Sequence, residues 1–246
     1  MRSQLRSSAI MMIATSLFAG ITLFAAAQTP GRSATTNDAA WARTYATDCG
    51  AAAKHPCAPS TNGYANAFIG DPRFIPLLKR SLPQHQSWWV NGYGGSAPVS
   101  SVVEEFFGIP KNFVADEDRY VTVTGCVPHD CTTTGMLWID TATKPVTVIF
   151  VGEDIVAESL KGESGYHLYI YTSREITNYY AGRRPIKMFA PDFLKSLARW
   201  HDTSISKYDN QKIILATIVW PNGRTHDLFW NDLLQPPPST NSGANQ

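Results

Sequence analysis

From Asp118 onward the chain takes on a period of two. In RYVTVTG, Val121 and Val123 fall on one face and Tyr120, Thr122 and Thr124 on the other. GMLWID, PVTVIFV and YHLYIYT follow, separated by the polar connections TATK and AESLKGESG. Period two predicts strands, and short links between successive strands predict an antiparallel meander. The last third changes character. In APDFLKSLARWHDT (190–203), Phe193, Leu194, Leu197 and Trp200 share one helical face, with Asp192 near the start. QKIILATIVWPNGRTHDLFW then predicts a second hairpin, turning at Pro221, Asn222 and Gly223.

Upstream, the pattern predicts short helices. NDAAWARTYAT reads as one, capped by Asn37 or Asp38. YANAFIGDPRFIPLLKRSL reads as a helix broken at Pro72 and Pro76, with a second helix opening at Pro72 under an Asp71 cap. SWWVNGYGGSAP, rich in Gly and aromatics, predicts a packed loop with one short strand. PVSSVVEEFFGIP predicts a short helix or strand at the edge of the core. Together these elements predict an α+β fold built on an antiparallel sheet.

The extreme N-terminus is a different kind of segment. Arg2 and Arg6 precede an apolar run over 9–24, and Ala25, Ala26 and Ala27 supply small residues for cleavage before Gln28. This is the layout of a secretory signal, and the run is short for a membrane span. The sequence therefore divides into a signal peptide (1–27), an N-terminal extension (28–63), a core (64–157), a C-terminal extension of the same domain (158–235) and a Pro/Ser/Asn-rich tail (236–246) predicted to be disordered. Removing the signal changes the charge from +1 to about −1, because Arg2 and Arg6 leave with it. So balanced a chain lacks the basic field of a nucleic-acid binder. The acids cluster locally at Glu104-Glu105, Asp116-Glu117-Asp118 and Glu153-Asp154; solvated loops and helix ends account for any one of these more simply than a basic partner does.

Export also changes the reading of the cysteines. Cys49, Cys57, Cys126 and Cys131 all lie in the mature chain, where oxidising conditions favour disulfides. Three pairings exist; two local bridges, Cys49–Cys57 and Cys126–Cys131, are the simplest, and a crossed pairing is the alternative. The second bridge would enclose only Val127, Pro128, His129 and Asp130 at a hairpin tip. So short a loop gains roughly 2 kcal/mol from cross-linking in the chain-entropy model, less than a long one. It does hold four residues in one shape, which lowers the entropy lost on binding.

Several chemistries compete for this ring. Redox catalysis calls for two residues between the sulfurs and a helix after the first; here four intervene and no helix pattern follows. Metal binding by Cys126, His129, Asp130 and Cys131 requires free thiolates. Hydrolysis with His129 as base has no identifiable nucleophile and no Gly-x-Ser-x-Gly elbow. A structural clip with a solvent-facing histidine, and recognition by a rigid loop presenting His129, both remain. The His201-Asp202 and His226-Asp227 dipeptides are weak signals, better read as structural. Trp200, Trp220 and Trp230 are better read as core than as a sugar platform.

At this point the residues resemble a family. GCVPHDC closely resembles the Cys-Lys-Pro-His-Asp-Cys loop of the Ivy family, periplasmic inhibitors of vertebrate lysozyme. WWVNGYGGSAPVSSV, YVTVTGCVPHDC, GMLWID and KPVTVIFVGED resemble its neighbouring segments, so the likeness spans roughly residues 64–157 of 246. The resemblance implies an antiparallel sheet with helices packed on one side and a protruding disulfide loop that enters the cleft of a c-type lysozyme. It implies that His129 contacts the two catalytic carboxylates, that Asp130 supports it and that Cys126–Cys131 holds it. It implies a binding protein rather than an enzyme, with c-type lysozyme as partner and no cofactor or metal; the charge balance speaks against nucleic acid, signal cleavage leaves no membrane segment, and the C-terminal helix and hairpin offer a face for a homodimer. Two departures stand out. Val127 replaces the family's Lys, and residues 28–63 and 158–246 exceed its compact length. A periplasmic binding or chaperone-like protein that kept the fold and lost inhibition is the alternative.

Overall fold

The computed structural model describes residues 39–51, 62–89, 96–156, 165–175, 189–205 and 213–230, together with Leu233. All of them belong to the compact unit Thr35–Gln246. The expected signal peptide, the caps Asn37 and Asp38, the 90–95 segment and the tail lie outside the described residues.

Three helices come first: α1 (Ala40–Ala51), α2 (Asn62–Ile69) and α3 (Phe74–Ser81). The chain breaks between α2 and α3 around Pro72 as expected, but α3 opens at Phe74 with Arg73 as its N-cap and no side-chain cap, and Pro76 sits in the first turn of α3, where its missing N–H costs no helical bond, rather than interrupting it. Asp71 braces the turn before the helix instead of capping it: its Oδ1 accepts the Arg73 backbone N–H at 2.9 Å, and its two oxygens take the Arg73 guanidinium in a fork. That pairing holds the Asp71 carboxyl below the usual carboxylate range. A two-stranded piece, β1 (His85–Gln86) with β2 (Ala97–Pro98), leads into helix α4 (Val99–Phe106).

The sheet follows: β3 (Ile109–Asp116), β4 (Tyr120–Val127), β5 (Asp130–Asp140), β6 (Thr147–Val156), β7 (Gly165–Thr172), β8 (Ile213–Val219) and β9 (Thr225–Phe229). Their order in space is their order in sequence. β3 to β7 form the expected antiparallel meander, with β3 added in front of it. β7 and β8 are parallel. Two parallel neighbours need a crossover, and helix α5 (Pro191–Trp200), ending in a π turn (His201–Ile205), lies on that connection. The C-terminal third thus extends the sheet by two strands, β8 and β9 being joined across Gly223, whose φ of 78° suits the tight turn.

Alternation along the strands sends side chains into two cores. Val121, Val123, Leu137, Val148 and Phe150 meet α1 to α4 on one face. Tyr120, Met136, Trp138, Ile149, Val151 and Leu168 meet Phe193, Leu197 and Trp200 of α5 on the other. Helices therefore cover both faces, where the resemblance implies one, because α5 of the C-terminal extension supplies a second layer. This is why every residue of β4 is buried, the threonines included. Each fully buried Val, Leu or Phe side chain contributes roughly 1.5–3 kcal/mol, so both layers hold β4 and its hairpin firmly. Among the described residues, no helix is long and apolar enough to cross a membrane.

Candidate functional site

The β4–β5 hairpin closes in two residues. Val127 pairs with Asp130, leaving Pro128 and His129 at the tip. Proline fixes its own φ near −65°, and His129 has a φ of 67°. Proline followed by a left-handed residue is the type II arrangement, which favours Gly or Asn at the second position. A histidine there costs roughly 1 kcal/mol or more. Type II also matches strand twist less well than the primed turns usual in two-residue hairpins.

The ring compensates. Cys126 and Cys131 are disulfide-bonded with Cα atoms 4.9 Å apart. They are not direct ladder partners. Cys126 pairs with Thr134, whereas the next residue, Val127, pairs with Asp130. The intervening Cys131, Thr132 and Thr133 form a bulge on the β5 arm, and the disulfide ties that bulge back to β4. Because the thiols are bonded to each other, the metal and dithiol readings lose their ligands and nucleophile. Among the described residues, no group of three or more His, Cys, Asp or Glu could hold a metal ion.

The ring has a buried side and a presented side. Cys126 and Val127 turn into the protein, 0% and 3% exposed, with Val127 in the core under the N-terminal helices. Pro128, His129 and Asp130 are exposed. Asp130 is occupied within the bulge: its carboxylate accepts the hydroxyls of Thr132 and, at 2.7 Å, Thr133. These hydroxyls, with the backbone N–H groups of the same residues, hold the Asp130 carboxyl below its ordinary range. Its brace therefore runs along β5 and stabilises the loop carrying His129.

Two further features seat the hairpin. Gly125, Gly135 and Gly152 stand in register across β4, β5 and β6. A Cβ on them would lie 2.9 Å from the Phe107 ring, 2.8 Å from Phe106 and 2.8 Å from Trp88, respectively. Omitting three side chains lets α4 and the Trp88 segment press directly on the hairpin root. Phe107 then leads to Gly108, where any Cβ would overlap the Pro128 ring. The tip therefore rests on the α4–β3 connection.

Behind the ring lies a buried acid. Thr134, the ladder partner of Cys126, donates its backbone N–H to Glu153 Oε1 at 2.5 Å. Glu153 is 1% exposed, and its Oε2 has no hydrogen-bond partner among the described residues. Burial pushes its pKa up to about 7; the Thr134 hydrogen bonds and Lys111 oppose the rise, and the charge of Asp130 adds to it.

The other candidates fall elsewhere. Cys49 ends in the last turn of α1, and its side chain and Cys57 lie outside the described residues. His201 Nδ1 and Asp202 Oδ1 are 3.1 Å apart, with Asp202 exposed. As neighbours on β9, His226 and Asp227 point to opposite faces of the sheet. Asp227 accepts the Thr217 hydroxyl at 2.6 Å, and that oxygen is 2.7 Å from His167 Nε2. Trp200 and Trp220 are buried, and Trp230 packs against His201. Of the acid clusters, Glu105 accepts Trp89 Nε1–H at 2.9 Å and Asp116 pairs with Arg199 at 2.8 Å.

Comparison of the chain with family models, with curated proteins and with solved structures finds no match. The functional reading rests on the ring and its setting.

Proposed function

We propose that this protein is an exported inhibitor of c-type lysozyme that fills the enzyme's cleft with the Cys126–Cys131 ring and presents His129 to its catalytic carboxylates. The observation that carries the reading is His129 itself: exposed, left-handed at φ 67°, and held at the tip of a disulfide-closed hairpin. Residues that store backbone strain cluster at functional sites, where surrounding structure holds them.

The chemistry fits the geometry. Lysozyme works with one carboxyl protonated and a second ionised, flanking the scissile bond. An imidazole carries nitrogens on two sides of one ring and faces both groups at once. In a cleft emptied of water, such charge-assisted hydrogen bonds gain strength, and the loop's bulk displaces the sugar. A ring already ordered by Pro128, the Asp130 brace and the disulfide loses little entropy on insertion.

The test is the lysis of a cell-wall suspension by a c-type lysozyme. The mature protein abolishes clearing at near-equimolar amounts, and His129→Ala restores it. Undiminished lysis at micromolar excess would sink the reading. Val127 favours a second reading: with the family's lysine replaced by a core residue, the fold serves a periplasmic binding or chaperone-like role. That reading predicts no inhibition of lysozymes of any class.

A further inference from the structure

Six residues make a small interface. A stable protein–protein contact takes about 20–30 residues and about 800 Å² on each side, so a six-residue ring supplies a minority of the footprint. The remainder must come from surface that moves rigidly with the ring.

The described residues leave two large apolar side chains exposed, Ile109 at 42% and Phe229 at 57%. They stand at opposite edges of the sheet, because β3 and β9 are its terminal strands. Phe229 is six strands from the β3 edge. Ile109, by contrast, is the ladder partner of Cys126, so it sits at the ring's root. It also follows Gly108, the residue over which the Pro128 ring lies. Ile109 is thus tied to the ring twice, through the β3–β4 ladder and through the Gly108–Pro128 contact. On its outer flank no described strand pairs with β3, and the register shift between Pro110 and Asn112 interrupts that edge's regular ladder. Natural edges use bulges and prolines to discourage pairing by strangers. What remains available beside the ring is a side-chain contact.

We propose that Ile109 is the apolar anchor of the ring's binding face, packing against an apolar wall of the same lysozyme cleft that receives His129. This rests on the inhibitor reading above and deepens it. The ring and Ile109 then form one rigid face with two functions. His129 supplies directional polar contacts and Ile109 supplies affinity by burial.

The experiment is calorimetric titration of a c-type lysozyme with the mature wild-type protein and with Ile109→Ser, Ile109→Leu, Phe229→Ser and His129→Ala. All substitutions are at exposed side chains, and a thermal melt of each checks that the fold is intact. The expected result is a roughly tenfold weaker Kd for Ile109→Ser, the scale of an interface anchor, with Ile109→Leu within about twofold of wild type and Phe229→Ser unchanged. Wild-type affinity in Ile109→Ser, with binding lost in His129→Ala, overturns the anchor and leaves the ring reading standing. Equal losses in Ile109→Ser and Phe229→Ser also overturn it, since the effect would then not be local to the ring. Absence of lysozyme binding by the wild type overturns the inhibitor reading and takes the anchor with it.

Discussion

Replacing Glu153 with glutamine changes one buried charge and little else. The amide keeps an oxygen for the Thr134 N–H that Glu153 Oε1 now accepts at 2.5 Å. Burial lifts the Glu153 pKa from 4.5 to about 7. At 1.36 kcal/mol per unit, that difference is on the order of 3 kcal/mol. The sign follows from proton counting. Between pH 4.5 and 7 the folded protein holds a proton that the unfolded chain has released, so stability falls as pH rises. The contribution is fully present below 4.5 and is lost by the time pH passes 7. Glutamine has no such dependence, although its NH2 inherits the place of an oxygen that has no hydrogen-bond partner among the described residues, a pH-independent cost of about 1–3 kcal/mol. The decisive quantity is therefore the slope of the difference. Urea denaturation of both proteins at pH 4, 6 and 8 measures it. Relative to wild type, Glu153→Gln gains about 3 kcal/mol between pH 4 and pH 8, most of it before pH 7. A difference independent of pH would refute the buried-acid account of the ring's underside.

Other substitutions probe the ring's support. His129→Gly removes both the side chain and the left-handed strain, so inhibition disappears while stability rises by up to about 1 kcal/mol in denaturant titration; a loss of stability contradicts the strained-tip geometry. Gly108→Ala places a Cβ into the Pro128 ring, tilting the hairpin; inhibition weakens several-fold while the thermal midpoint falls by only a few degrees, and unchanged inhibition would show that the tip does not rest there. Val127→Lys puts an ammonium at a residue only 3% exposed; calorimetry records a loss of roughly 2–4 kcal/mol, and a neutral result would mean that the lysine escapes to solvent.

Much of this architecture is legible in the chain, for identifiable reasons. Tyr120 to Thr172 carries period two and clear turn residues, so four strands of the meander emerge from pattern alone. The face of Phe193, Leu197 and Trp200 marks α5 equally well. β3 escapes the pattern because it is an edge strand with one buried residue, Phe113, and a register shift at Lys111, between Pro110 and Asn112. The parallel β7–β8 join also escapes it, since periodicity reports strands and not their partners. The ring is legible from its cysteines and proline, but its seat is not. Gly125, Gly135 and Gly152 matter through a register that exists only in the folded sheet. Glu153 is an instructive case. Read as part of an acidic pair it suggests a solvated loop. Read in the alternation of Ile149 and Val151 it falls on an inward face, which is where it lies.

The central claim is that the ring enters the lysozyme cleft, and competition tests it most directly. Binding of the wild-type protein to a c-type lysozyme is titrated with increasing amounts of a chitin oligosaccharide that fills the cleft. The account predicts that apparent affinity falls in proportion to cleft occupancy. Binding that is indifferent to a saturated cleft would contradict it.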